Sequence, residues 1–175
     1  MHIRVTYEAP QSERPITFHT YHFEPYVLFS RSRSEGYWLS RGDREWEVCD
    51  LEDEEAGAYG LFDGQDIEVL IRGDSRFVSL RPGESWATTY WLQSLTSTLL
   101  PADVKVGDVY RYRFRGAADV DWWDWGHIEK EHAETTVTLP SCYSGRVVNP
   151  ADNGGRPKLV VPASNWVEFR VADIV

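Results

Sequence analysis

Cysteine is scarce in this chain, which has two cysteines among 175 residues. Cys49 and Cys142 lie far apart in the sequence, and neither belongs to a CxxC pair. A chain of this length can bury a core large enough to fold without a disulfide or a metal. No neighbouring His with Asn or Asp indicates a cysteine nucleophile, so we expect two free thiols.

Long apolar runs are also missing. No segment approaches the roughly 20 apolar residues that a membrane-spanning helix needs. The start of the chain, from Met1 to Arg4, passes straight into an alternating pattern and shows no charged region followed by an apolar one. These two absences predict a cytoplasmic protein that does not enter a membrane.

The chain has few basic residues: it contains 18 Lys and Arg and 28 Asp and Glu, which gives a formal net charge of −10. The acids concentrate between Asp43 and Glu68, where eleven Asp or Glu are accompanied by Arg44 alone. A negative surface repels the phosphates of nucleic acids and of anionic lipids. We therefore expect neither nucleic acid nor a membrane as a partner, and the oligomeric state is left open.

Motifs that fix a reaction or a cofactor are absent. The sequence has no nucleophile elbow, no phosphate-binding loop and no dinucleotide fingerprint. The stretch from His127 to His132 does not have the H-E-x-x-H order, and His19 and His22 would face opposite sides of a strand. We predict that the protein binds no metal and no cofactor, and the sequence leaves open whether it is an enzyme.

What the sequence does contain is period-two alternation of apolar and polar residues, which is typical of half-buried β-strands. Turn signals such as Arg81-Pro82-Gly83 separate these runs, and no window shows sustained helical periodicity. The pattern predicts an all-β fold, an antiparallel β-sandwich with little helix, in one domain over residues 1–175. It is clearest in the run Val109–Arg115, where arginines predicted to point outward alternate with inward-pointing Tyr110, Tyr112 and Phe114.

Several of these segments resemble known sequences. The turn that begins at Leu80-Arg81-Pro82-Gly83 and the strand that begins at Val106 are similar to late strands of immunoglobulin-like sandwiches. That resemblance implies that the Tyr110 hydroxyl bonds back to the upstream backbone. The same turn and strand, together with the segments Pro15–Phe18 and Trp122–Gly126, resemble a family of filamentous-fungal proteins. This resemblance covers the larger part of the chain. The resemblance implies an immunoglobulin-like β-sandwich and a fungal source, and it implies no activity.

The segment Asp121–Gly126 is the most unusual, because it holds three Trp. On a strand, Trp123 and Trp125 would share one face, while Trp122 and Asp124 would share the other. One face can pack into the core, so the other must meet solvent, a covering loop or a ligand. The rings therefore either close one end of the sandwich or form the wall of an apolar site.

The site interpretation makes specific assignments. Asp124 would be the polar end of the site, and Asp124 with His127 is the available pair for acid–base catalysis. The loop from Ser144 to Pro157 is long enough to cover the site. The predicted ligand contacts are Trp122, Trp123, Trp125, Tyr112 and Trp91.

Three functions are compatible with these patterns. The first is binding of a small apolar or aromatic molecule, suggested by an aromatic content of 14%. The second is a cofactor-independent cyclase or isomerase of a fungal biosynthetic pathway, which would work by positioning its substrate beside an acid or base. The third is protein interaction through a sheet edge. A closed aromatic cavity would favour the first two, and a flat exposed apolar patch would favour the third.

Overall fold

A computed structural model describes residues 2–9, 11–23, 37–42, 45–48, 65–89, 103–114, 118–140, 147–148, 156 and 159–172. The contacts of the chain divide it into two compact units, each built from three separate stretches of sequence. The first unit contains Met1–Glu24, Tyr59–Tyr90 and Asp119–Leu159, and the second contains Pro25–Ala58, Trp91–Ala118 and Val160–Val175. The single domain over residues 1–175 stays a prediction.

The regular structure of the described residues consists of β-strands and two three-residue 3-10 helices, Tyr21–Phe23 and Ile71–Gly73. The strand pairs run antiparallel. The prediction of an all-β, antiparallel fold with little helix is therefore confirmed, while the immunoglobulin-like sandwich stays a prediction. Within these residues, no helix has the length and apolar character required to cross a membrane.

Three small sheets form the first unit. Each joins strands that are distant in the sequence, so the unit depends on long-range pairing. The pairs are β1 (His2–Thr6) with β7 (Ser85–Thr89), β2 (Ile16–His19) with both β6 (Phe77–Leu80) and β10 (Trp123–Trp125), and β5 (Ile67–Leu70) with β11 (Thr136–Leu139).

Strand β2 is the centre of the three-stranded sheet, and all four of its residues are buried. Its burial does not alternate, because apolar and polar side chains are both covered. Phe18 packs edge-on against Phe23 at 6.4 Å between ring centroids. The Thr17 hydroxyl donates to the Gly126 carbonyl at 2.8 Å, so a polar group in this strand is satisfied inside the protein.

The second unit contains a four-stranded sheet. In this sheet β8 lies between one strand that precedes it in the sequence and one that follows it. Burial in β8 alternates strictly, with Tyr110, Tyr112 and Phe114 buried, which confirms the predicted inward face. The order of the sheet is β13 (Val167–Arg170), β8 (Val109–Phe114), β3 (Tyr37–Arg41) and β4 (Glu47–Val48). Two further short strands are β9 (Ala118–Asp119) and β12 (Val160–Val161).

Arg41 ties the loop before β8 to the sheet. Its guanidinium donates two hydrogen bonds to Asp103, at 2.7 and 2.8 Å, and also donates to the Tyr110 hydroxyl at 2.7 Å. Hydrogen bonding to Asp103 and then to Tyr110 raises the pKa of Arg41, and the same contact lowers the pKa of Asp103. The Tyr110 hydroxyl lies 3.4 Å from the Asp108 carboxylate. The predicted backbone bond of Tyr110 stays a prediction.

Candidate functional site

The Trp-rich segment is held in place by β2. Strand β10 pairs antiparallel with β2, so that Trp123 faces Phe18 and Trp125 faces Ile16 across the ladder. Gly126 then donates its N–H to the Pro15 carbonyl at 2.9 Å. The segment is thus fixed by main-chain hydrogen bonds on a central strand, which is a rigid support for a site.

Trp122 is part of the protein core. Its side chain is completely buried, and its ring meets Phe77 edge-on at 5.5 Å. Trp122 precedes β10, so the alternation predicted for a strand begins only at the next residue. Val147 belongs to the predicted covering loop and packs in the same cluster as Trp122. The full cluster is Ile71, Phe77, Trp122, Val137, Leu139 and Val147.

Trp123 and Trp125 lie on the same face of β10, as predicted, and differ in exposure. Their rings meet edge-to-face at 5.2 Å between centroids. Trp123 is 3% exposed, whereas Trp125 is only partly buried. The guanidinium carbon of Arg14 lies 5.0 Å from the Trp125 centroid, and that of Arg156 lies 5.8 Å from the Trp123 centroid. Trp125 is therefore the one ring of the three with a partly open surface.

Asp124 is engaged by a cation from the predicted covering loop. Its carboxylate accepts a hydrogen bond from the Trp125 N–H at 2.6 Å and lies 3.0 Å from the Arg156 guanidinium. The Asp124 side chain is 28% exposed. In this contact the carboxylate acts as a hydrogen-bond acceptor.

His127 is held by a different set of contacts. Its backbone N–H donates to the Glu131 carboxylate at 2.7 Å, and its Nδ1 accepts from the Glu129 N–H at 3.2 Å. The bond from the His127 backbone lowers the pKa of Glu131. The contacts of Asp124 and His127 in the described part of the chain therefore do not join the two residues into one acid–base pair.

A second Asp and His do form a pair in the same unit, and sequence reasoning did not find it. Nδ1 of His19 lies 3.2 Å from both carboxylate oxygens of Asp121, and Asp121 also accepts from the Val147 N–H at 2.7 Å. The side chains are 0% and 6% exposed. The His19 ring stacks on Tyr21 at 5.9 Å and on Phe77 at 4.7 Å.

The other nitrogen of this imidazole has no described partner. Nε2 of His19 is buried and makes no hydrogen bond to any residue that the structure describes. A nearby carboxylate, Asp74, is held by Arg76 at 2.6 Å. The Arg76 hydrogen bond lowers the pKa of Asp74, and the charge of His19 acts in the same direction. Neither residue carries a sequence signal for this pairing, because His19 and Asp121 lie 102 positions apart.

The remaining predicted site residues are dispersed. Tyr112 lies in the second unit and is 6% exposed, while Trp91, Cys49 and Cys142 lie outside the described residues. His132 is bonded within its own segment, with Nε2 at 2.9 Å from the Trp125 carbonyl. Among the described residues, no group of three His, Cys, Asp or Glu side chains could hold a metal ion. The absence of metal and cofactor stays a prediction.

Gly126 is expected to be intolerant of a side chain. It has a φ of 120°, and a Cβ there would lie 2.6 Å from the Cβ of Glu131. Gly83 also has a positive φ, 84°, but nothing lies within 4 Å of its Cβ position. Both alanine variants carry backbone strain, and the clash should make Gly126→Ala less stable than Gly83→Ala by about 1–3 kcal/mol. Urea unfolding of the two variants measures this difference, and equal midpoints would contradict it.

Comparisons with protein-family models, with curated proteins and with solved structures found no match to this chain. The resemblance to filamentous-fungal proteins stays a prediction.

Proposed function

We propose that this protein binds a small aromatic molecule on the open surface of Trp125, with the guanidinium groups of Arg14 and Arg156 as its polar neighbours. The observation that supports the proposal is the edge-to-face Trp123–Trp125 pair, in which one ring is buried and the other is only partly buried. The buried ring fixes the orientation of the open one. A rigid aromatic surface loses little entropy when a planar ligand stacks on it.

The charged groups around Trp125 give the site its polarity. Arg14 is exposed and lies over the indole at 5.0 Å, an interaction worth about 0.5–1 kcal/mol at a surface position. A ligand ring can displace this side chain at a small cost and take its place on the indole. The Arg156 guanidinium, 5.8 Å from the Trp123 centroid, then offers a hydrogen-bond donor to a substituent on the ring.

The test uses neutral aromatic probes, indole and 2-naphthol, with binding measured by calorimetry on the full chain. Trp125→Ala should weaken binding by at least about tenfold, since stacking on an aromatic side chain is worth about 1–3 kcal/mol. Trp86→Ala is the matched control, because Trp86 is another partly buried Trp of the first unit whose ring lies 5.8 Å from Phe23. It should change binding by less than about twofold. Equal affinity in wild type and Trp125→Ala would refute the proposal.

The alternative is a cofactor-independent enzyme, such as a cyclase or isomerase, and the Asp121–His19 pair favours it. A carboxylate on Nδ1 fixes the orientation of the imidazole and leaves Nε2 as the nitrogen that exchanges a proton with a substrate. This role requires that the residues covering His19 move aside, because His19 is fully buried. It places the acid–base chemistry at His19 instead of the Asp124 and His127 predicted from the sequence.

Acylation of the folded protein with diethyl pyrocarbonate tests this alternative. The enzyme hypothesis predicts that His19 is modified at Nε2 and that an aromatic substrate analogue protects it. The exposed His2 is the internal control for reagent activity. Modification of His2 with no modification of His19, read by peptide mass spectrometry, would exclude His19 as the catalytic base.

A further inference from the structure

Two Trp and two Arg alternate on the outer side of the sheet in the second unit. The guanidinium carbon of Arg111 lies 4.5 Å from the Trp46 centroid and 4.2 Å from the Trp166 centroid, and that of Arg113 lies 4.7 Å from Trp166. We call these four residues, Trp46, Arg111, Trp166 and Arg113, the Trp–Arg ladder. All four side chains are partly buried, so the arginines predicted to point outward are covered by indole rings.

Arg111 differs from the other well-placed arginines because no carboxylate of a described residue engages it. Arg41, Arg76 and Arg156 lie 2.7, 2.6 and 3.0 Å from a carboxylate oxygen. In the part of the chain that the structure describes, no ion pair involves Arg111, and its buried Nε has no hydrogen-bond partner. A guanidinium without an acceptor is unusual in a chain with a net charge of −10.

A carboxylate stands close to Arg111 without pairing with it. Glu168 of β13 is in register with Arg111 of β8, so the two side chains leave the sheet on the same face. Glu168 is exposed and forms no ion pair with Arg111. The guanidinium lies over both indoles, and its in-plane N–H groups have no acceptor among the described residues.

We propose that the Trp–Arg ladder is a binding site for the carboxylate of a small aromatic acid. The N–H groups of Arg111 would donate two parallel hydrogen bonds to the carboxylate, the geometry in which guanidinium and carboxylate match. The ring of the acid would lie against the partly exposed indoles of Trp46 and Trp166. A monoanion fits better than a phosphate or a polyanion, because one guanidinium is unengaged and the acidic surface repels higher charge.

This site is independent of the one on Trp125. It lies in the second unit, it selects an anion instead of a neutral ring, and none of its residues belongs to the Trp-rich segment. Binding of neutral indole or 2-naphthol therefore reports on the first site, and the charge requirement reports on the ladder. Either proposal can fail while the other stands.

The experiment measures binding of 2-naphthoate and of its neutral isostere 2-naphthamide by calorimetry to the full chain carrying Trp125→Ala, which removes the first site. We expect 2-naphthoate to bind at least about tenfold more tightly than the amide, because hydrogen bonds to a charged group are worth about 1.5–3 kcal/mol. Inorganic phosphate should bind at least about tenfold more weakly than 2-naphthoate, since the ladder offers one unengaged cation and aromatic contacts. Equal binding of the amide, or of phosphate, would overturn the assignment of an aromatic carboxylate.

Three variants locate the binding. Arg111→Lys keeps the charge but loses the planar fork, so affinity for 2-naphthoate should fall by at least about tenfold. Arg4→Lys makes the same exchange at an exposed position of β1 and should leave affinity unchanged.

Glu168→Gln removes the repelling carboxylate and should tighten binding by about threefold. Glu168→Gln leaves all four residues of the ladder unchanged. It therefore tests the site even if Arg111→Lys disturbs the sheet. Unchanged affinity in both Arg111→Lys and Glu168→Gln would show that the ladder only supports the sheet.

Discussion

Replacing Trp122 with alanine is expected to destabilise the first unit by about 3–5 kcal/mol, the range for deletion of a buried aromatic side chain. The ring has no exposed surface and packs against Phe77 and the surrounding aliphatic side chains. Its removal leaves a cavity that strands and a loop line from several sides, so collapse around it cannot recover the lost contacts. Urea unfolding followed by near-ultraviolet circular dichroism measures the loss.

Trp125→Ala is the matched control for this measurement, since it removes the same side chain from the same segment. Trp125 is only partly buried, and its described ring contacts are with Trp123 and Arg14. We expect a loss of about 1–2 kcal/mol, smaller than that of Trp122→Ala. Similar losses for the two variants would mean that the open surface assigned to Trp125 is covered in solution. That result would refute the proposal that an aromatic ligand binds on Trp125.

Asp121→Ala is expected to cost about 3–5 kcal/mol, although it removes a small side chain. The Asp121 carboxylate satisfies both His19 Nδ1 and the Val147 N–H inside the protein. Without it, two buried polar groups lose their acceptor, and a buried donor without an acceptor carries its full desolvation penalty. Asp124→Ala is the control, because Asp124 is 28% exposed and its loss should cost about 1 kcal/mol.

A double-mutant cycle separates the pair from simple packing. His19→Phe keeps a ring between Tyr21 and Phe77 and removes the need for an acceptor on Nδ1. In the His19→Phe background, Asp121→Ala should therefore cost less than it does in the wild type, by about 1–3 kcal/mol of coupling. Additive losses would contradict the view that Asp121 acts by holding His19.

The alternation of the sequence was sufficient to predict the inner face of β8. Tyr110, Tyr112 and Phe114 are buried because side chains on a strand alternate between faces whatever the neighbouring strands are. The outer face could not be predicted in the same way. Trp46 and Trp166 come from remote parts of the chain, and local periodicity carries no information on which residues of other strands will lie over Arg111.

The Trp-rich segment was recognised from the sequence, but its internal geometry was only partly predicted. The shared face of Trp123 and Trp125 followed from strand alternation, and the rule applies because both lie in β10. Trp122 lies outside the strand, so its burial depends on tertiary packing with Val147. The Asp121–His19 pair joins residues 102 positions apart, a separation at which composition and spacing do not indicate contact.

The division of each unit into three stretches of sequence has a consequence during protein synthesis. His19 is made 102 residues before its partner Asp121, an interval of roughly 5–20 s at the usual rate of translation. Through that time the β10-facing edge of β2 has no partner strand, and its apolar side chains are open to other nascent chains. The first unit cannot close until its third stretch has left the ribosome, so this edge of β2 is open to wrong strand pairing while the rest of the chain is being translated.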